Sequence, residues 1–158
     1  AGIVSGDQNR NFAPKTNVTR EEFLKMLMGA LNITATDGGY GFSDIGNDDW
    51  FAPYVYTARN LGIVNGMGDG TFGIGQTITR EDMAVMASRA LAAAGKTLTQ
   101  TQQTALVDAV QISDYAQSAA QQLASAGVIC GDEHAAFRPQ DTALREEAAK
   151  VIYYIWVA

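Results

Sequence analysis

The sequence predicts an all-α molecule built on a threefold repeat. Three observations predict it. The tripeptide Thr19-Arg20-Glu21 returns as Thr79-Arg80-Glu81 and, altered, as Leu144-Arg145-Glu146. Each copy follows a Phe at one fixed distance (Phe12, Phe72, Phe137). Each Phe follows a short apolar stretch flanked by glycine: Gly2-Ile3-Val4-Ser5-Gly6, Gly62-Ile63-Val64-Asn65-Gly66 and Gly127-Val128-Ile129-Cys130-Gly131. Landmarks held in one register three times define a repeat of roughly 60 residues. Residues 1–158 then read as a single domain, with a partial repeat over 1–36, a second over 42–95 and a third over 106–158.

Repeat 1 is a half. It starts at the Gly-Ile-Val element, has no first helix, and enters a helix over 19–32. Because the chain opens inside a repeat, it reads as a piece of a longer protein. Residues 37–41 form a candidate linker. Repeat 2 is complete. It begins at Phe42-Ser43-Asp44 and crosses Asp48-Asp49-Trp50. A first helix follows over 52–61, with Ala52, Val55, Tyr56 and Arg59 on one face at spacings of three and four. Gly62 stops it. The run Gly66-Met67-Gly68-Asp69-Gly70-Thr71-Phe72 is a loop, since so many glycines suit a helix interior poorly. Thr79 is a good N-cap, with Asp82 three residues on, and the second helix ends before Gly95. Residues 95–104, rich in Thr and Gln, are the stronger linker candidate. Repeat 3 has the same plan. Asp108 matches Asp44, Tyr115 replaces Trp50, and 116–126 matches the first helix.

The second helices align by sequence as Phe23/Met83/Ala148, Met26/Met86/Val151, Leu27/Ala87/Ile152 and Ala30/Ala90/Ile155. Large residues in one repeat meet smaller ones in another. A shared core requires this, because interiors pack at near-crystal density; helices packing only within their own repeats would not.

Composition bounds the function. Apolar residues make up 47% and charged ones 18%, with a net charge of −6. No basic block is present, which argues against a nucleic-acid partner. No apolar run approaches the ~20 residues needed for a membrane span. Cys130 stands alone, so no internal disulfide forms; its repeat-mates Ser5 and Asn65 suggest a small side chain in a tight slot. His134 has no Cys or His companions, and a metal site is not expected. The Gly66-x-Gly68-x-Gly70 run lacks the Lys-Ser/Thr of a phosphate loop. Asp7-x-Asn9-x-Asn11 begins like a calcium loop, but Phe12 stands where Gly is required and Val18 where Glu is. A glycosidase needs two carboxylates facing one bond. The acids Glu21, Glu22, Asp44, Asp48 and Asp49 read instead as solvated loop residues. Neither a cofactor nor catalysis is expected.

Taken together, Phe42-Ser43-Asp44, Trp50, residues 62–66, Gly68-Asp69-Gly70-Thr71-Phe72 and Ile78-Thr79-Arg80-Glu81 resemble the S-layer homology (SLH) domain family. The resemblance covers most of the chain. It implies a threefold pseudo-symmetric spindle, with the post-Arg helices as a central bundle and the others as peripheral prongs. It also implies attachment of secreted bacterial or archaeal proteins to the cell wall. The implied ligand is a secondary wall polysaccharide bearing pyruvate ketals on N-acetylmannosamine, held in grooves between repeats. Two departures stand out. Repeat 3 has Asp132-Glu133-His134-Ala135-Ala136-Phe137 where Gly-Asp-Gly-Thr-Phe is expected, and Leu144 replaces the capping Thr.

The residues suit an acidic sugar. Arg20, Arg80 and Arg145 each offer a bidentate fork for a carboxylate, just past an N-cap where helix N–H groups also favour an anion. They could equally pair with nearby acids and fix the repeats. Trp50, and Tyr115 in its place, can lay a ring against a sugar; Trp50 could also anchor the first helix. Gly68 and Gly70 permit close backbone approach or serve the turn. Asp69 could accept sugar hydroxyls or cap its loop, and Asp44 more readily caps local backbone. The groove of Arg20 and repeat 2 is the favoured site, with Arg20 and Trp50 expected to share it. The half repeat should leave apolar surface near Ile3, Val4 and Phe12, open to self-association. A module that joins subunits of a surface layer without binding sugar is the alternative reading.

Overall fold

Each repeated arginine opens a helix. In a computed structural model that describes residues 3, 11–36, 39, 41–101 and 105–158, the helices are α1 (Arg20–Ala30), α2 (Ala52–Asn60), α3 (Arg80–Ala93), α4 (Asp114–Ser125) and α5 (Arg145–Val157), with a single 3-10 turn at Ala109–Gln111. Among the described residues there is no strand, only isolated bridges. The fold is all-α. The Gly-Ile-Val element of repeat 1 and the Asp7-x-Asn9 run lie, but for Ile3 and Asn11, outside the described residues.

The caps explain the starts. Thr19 accepts the Glu22 N–H, and the Glu22 carboxylate takes the Thr19 N–H at 3.1 Å, a complete capping box. Thr79 accepts the Asp82 N–H. Leu144 has no oxygen to offer, so α5 keeps only the reverse bond, Leu144 N–H to Glu147 at 2.9 Å. Pro53 stands in the first turn of α2, where its missing N–H costs nothing. Gly62 ends α2 with φ at 72°, letting the Ile63 N–H return to the Ala58 carbonyl at 2.8 Å.

α1, α3 and α5 touch one another pairwise, and the aligned rows fill the space between them. Phe23, Met26, Met83, Met86, Val151 and Ile152 are all buried, as are Leu27, Ala87 and Ala148. Complementary sizes thus meet at one axis. α2 and α4 lie outside, and each packs across the repeat boundary: α2 on α1, α4 on α3. On α2, Ala52, Val55 and Tyr56 are buried, whereas Arg59 is exposed and lies over the Phe42 ring at 4.8 Å.

A ring of backbone bonds closes the bundle. Val18 N–H donates to the Ala143 carbonyl (3.1 Å), Ala143 N–H to Ile78 (2.8 Å), and Ile78 N–H to Val18 (3.0 Å). Two residues later the three arginine N–H groups repeat the pattern: Arg20 to Gln76, Arg80 to Asp141, Arg145 to Thr16. The antiparallel bridges 17–144, 19–77 and 79–142 record the same pairing. Each repeat is therefore bonded to both others, and the backbone groups before each helix are satisfied without a sheet.

Candidate functional site

The three arginines follow the same cyclic rule with their side chains. Arg20 Nε donates to the Phe72 carbonyl (3.0 Å), Arg80 Nε to Phe137 (2.6 Å) and Arg145 Nε to Phe12 (3.1 Å). Each guanidinium also sits over the ring of that same Phe, at 5.3, 5.4 and 5.5 Å. A third bond reaches the acid two residues past the next arginine. Arg20 meets Asp82 at 2.6 Å, Arg80 meets Glu147, and Arg145 stands 4.0 Å from Glu22. Every arginine thus clamps the following repeat through a carbonyl, a ring and a carboxylate. Burial lowers the Arg80 pKa from its ordinary value.

Carboxylates shape the walls. Burial alone would raise the Asp44 pKa, but bonds from the backbone N–H groups of Ile74, Phe72 and Gly73, at 2.8 to 3.0 Å, outweigh it and hold the carboxyl low. Asp108 likewise accepts the backbone N–H groups of Phe137 and Arg138, at 2.8 and 2.6 Å. Glu81 is buried. Its desolvation is more than offset by the Ser113 N–H and hydroxyl, the Gln140 amide and the Tyr115 hydroxyl, so its pKa is lowered. Tyr115 donates to Asp82 at 2.8 Å as well as to Glu81 at 3.1 Å. Burial and these two acids push its phenol pKa up, which keeps it a proton donor.

These parts enclose a groove of about 360 Å³. Arg20 forms its base. One wall is the 63–68 loop, another the α3 face of Asp82, Val85, Met86 and Arg89, and Tyr115 closes the third side. Three repeats contribute, as the cyclic packing demands. Gly68, with φ at 90°, has no atom within 4 Å of where a Cβ would stand, so the wall is open there. Arg89 makes no hydrogen bond or ion pair with any described residue, unlike Arg20, whose charge Asp82 already meets. A second groove of about 470 Å³ surrounds Arg80, with Cys130, Asp132, Arg138, Leu144 and Glu147 on its walls. Both of its cations are paired, Arg80 with Glu147 and Arg138 with Asp132.

The S-layer homology domain family matches residues 1–24, 41–84 and 107–149. The chain belongs to that family. Similar sequences include an amylopullulanase of Thermoanaerobacterium thermosulfurigenes, 34% identical over 96% of this chain and 8% of its own length. The exoglucanase XynX of Acetivibrio thermocellus is 35% identical over 96% of the chain and 14% of its length. A cellulosome-anchoring protein of the same organism is 28% identical over 96% and 35%. The chain thus spans a small part of the relatives it matches, and proteins with unlike names share this one region.

Within this SLH chain, the expected site residues part company. Arg20, Gly68 and Tyr115 meet in one groove. Trp50 does not line it; half-exposed, it packs against Phe51 and Tyr54 under the Lys25 ammonium, 5.0 Å from the ring. By the cyclic offset that places Trp50 beside α1, on the side of Arg145 rather than Arg20. Arg80 lies in the second groove. Asp44 is turned inward on backbone. Asp69 is engaged by its own loop, accepting the Thr71 N–H and hydroxyl at 2.9 and 2.7 Å, and these bonds lower its pKa. Gly70 offers its carbonyl to the Ser43 N–H at 3.0 Å. Cys130 is exposed rather than held in a tight slot, because the chain turns outward there towards Lys150. His134 is exposed beside Glu133. Repeat 3 keeps its turn despite the altered loop: Asp132 accepts the N–H groups of His134 and Ala136 at 2.8 and 3.1 Å, and Ala135 takes the positive φ that glycine supplies in repeat 2. Arg89 escaped the sequence reading, since its repeat-mates are Gly29 and Tyr154 and no motif marks it.

Proposed function

We propose that this chain is a non-catalytic cell-wall anchoring module of an extracellular protein, and that the groove of Arg20, Arg89 and Tyr115 holds a pyruvylated N-acetylmannosamine unit of a secondary wall polysaccharide. Arg89 carries the proposal. It is a guanidinium with no partner among the described residues, set in a groove whose volume suits a small ligand. A ketal carboxylate needs such a fork, and an arginine already neutralised cannot supply it without losing its acid. Tyr115 lines the groove, and its hydroxyl is held in place by two acids. The open backbone at Gly68 leaves room for the sugar ring. The names of the enzyme relatives do not bear on this reading, because those proteins match over a minor share of their length. Their presence beside a cellulosome-anchoring protein supports a region that attaches rather than reacts.

Calorimetry with a defined pyruvylated saccharide tests the site. Arg89→Ala should weaken binding about tenfold or more, the worth of a charge-assisted hydrogen bond, while the melting temperature holds. Unchanged affinity would move the site elsewhere. Pull-down with purified cell-wall sacculi, before and after chemical removal of the wall polysaccharide, tests the anchoring itself. Equal retention on both would favour a module that assembles surface subunits without sugar.

A further inference from the structure

Repeats 2 and 3 differ on their outer faces. In repeat 2 the space between the 42–47 turn and α2 is filled from within. Tyr56 lies there, 6% exposed, with its hydroxyl 3.4 Å from the Asn47 side chain. Arg59 lies over the Phe42 ring. In repeat 3 the turn is in register through Asp108, which holds Phe137 as Asp44 holds Phe72, so Leu106 replaces Phe42. The ends of α2 and α4 are in register too: Ile63 N–H returns to the Ala58 carbonyl, and Val128 N–H to Leu123. Gln121 therefore replaces Tyr56, and Ala124 replaces Arg59. Two rings and a long side chain give way to smaller groups. A cleft of about 530 Å³ results, with Leu106, Val110 and Ile112 lining it from the turn and Gln117, Ser118 and Gln121 from α4. Among the described residues, none that lines it carries a charge. Its rim has changed as well. Val107 stands for Ser43 and Val110 for Gly46, and these valines are 69% and 92% exposed.

We infer that this cleft is a docking site for an aromatic side chain of a partner protein, presented on an uncharged segment. Repeat 2 shows what the frame holds, since the matching space there is occupied by the Tyr56 ring. Repeat 3 has lost the ring and kept the frame. Leu106 and Ile112 form a buried floor, and the Gln117 amide N–H ties α4 to the Ile112 carbonyl at 3.4 Å. An incoming ring covers that floor and the exposed valine rim, apolar surface that otherwise stays wet. The Ser118 hydroxyl and the glutamine amides are at hand for a phenol hydroxyl, as Asn47 is for Tyr56. Charge decides the flanks. A charged group brought into a lining without counter-charge loses its water and gains no partner. The acidic sugar of the Arg20 groove is excluded on the same ground, because the cleft offers it no cation. Among the described residues the two sites share none, so partner and glycan bind independently. Large aromatic anchors seated in a pocket are what protein interfaces draw most of their energy from.

The probe is the capped peptide N-acetyl-Gly-Tyr-Gly-amide, titrated into the 158-residue chain and followed by NMR of the Gln117 and Gln121 side-chain amides. Saturable shifts of those amides are expected, and the leucine analogue of the peptide should bind at least about fivefold more weakly, having no ring to stack on the floor. Gln121→Tyr should fill the cleft from within, as Tyr56 does in repeat 2. It should weaken peptide binding at least about tenfold, as steric exclusion from an occupied pocket does, with melting temperature and sugar affinity unchanged. Val110→Asp, at an exposed position, places a carboxylate on the rim and should weaken the peptide as well. Absence of saturable shifts overturns the inference, and so does unchanged peptide affinity in both variants. Tighter binding of methyl β-glucoside than of the peptide overturns it in favour of a neutral sugar. Shifts that appear on concentrating the chain alone, alongside a dimer in sedimentation, overturn it in favour of a second copy. The sugar site stands or falls separately, through Arg89.

Discussion

Arg20 and Arg89 line the same groove and answer to different demands. Arg20 is buried and holds Phe72 and Asp82 of the next repeat. Removing it strands a carboxylate and a carbonyl, so Arg20→Ala should cost roughly 2–4 kcal/mol of stability. At about 2–4 °C per kcal/mol for a chain of this size, a thermal melt resolves that readily. Any loss of sugar affinity in that variant is then partly a loss of the groove. Arg89→Ala should show the opposite split. The repeated residues were legible in the sequence because repetition marks them, and the inter-repeat ion pairs were among their possible roles. Arg89 was not legible: a residue that one repeat alone possesses leaves no periodic trace. Trp50 was misplaced for a related reason. Spacing along a repeat says nothing of the cyclic offset between repeats, and that offset decides which arginine an aromatic faces.

At the scale of elements, α1 and α3 were legible almost to the residue, since a Thr cap and an amphipathic row agree in each. Their core should respond accordingly. Phe23→Ala should cost about 3–5 kcal/mol in chemical denaturation, as a large buried ring gives way to a cavity between three helices. The cap of α5 is the weak one. Leu144 supplies no acceptor for the Glu147 N–H, whereas Thr19 and Thr79 do so at their own helices. Leu144→Thr should therefore raise stability by up to about 1 kcal/mol, read as an upward shift of the denaturation midpoint at constant slope. A fall would mean that the partly buried leucine side chain matters more than the cap. Which second helix each first helix covers was beyond the sequence. Spacing along the chain carries no record of which neighbour an apolar helix face meets; α2 meets α1 and α4 meets α3.

For the whole molecule, acid should be the sensitive limb. Asp44 and Glu81 are depressed below ordinary values of 3.8 and 4.5. In the unfolded chain they take up protons first, so their contribution is complete above about pH 5 and is lost as pH falls below 4.5 and through the depressed folded values. Urea midpoints should hold from neutral pH to about 5 and then decline, and Glu81→Gln should flatten that decline. A midpoint that rises on acidification would contradict the assignment. The unequal grooves carry a second expectation. With one unpaired guanidinium in the Arg20 groove and both cations of the Arg80 groove already paired, titration should show one dominant sugar site per chain rather than three equal ones.

The ring of bonds among Val18, Ile78 and Ala143 has a mechanical meaning for a part that holds cargo to a wall. Tension applied at the end of α5 meets residues 14–18 at once, through Arg145 to Thr16, Glu146 to Pro14 and Val18 to Ala143. The load path between first and last repeat is short and bypasses α2, α3 and α4. The middle repeat, which furnishes most of the Arg20 groove, lies largely off that path. A tether gripped through the proposed groove would keep its 63–68 wall and its α3 wall off the strained seam, with Arg20 the one lining residue beside it. Optical-trap unfolding with handles at 11 and 158 should rupture at higher force than with one handle moved to residue 97 in the interhelical segment, because only the first geometry loads the seam in parallel.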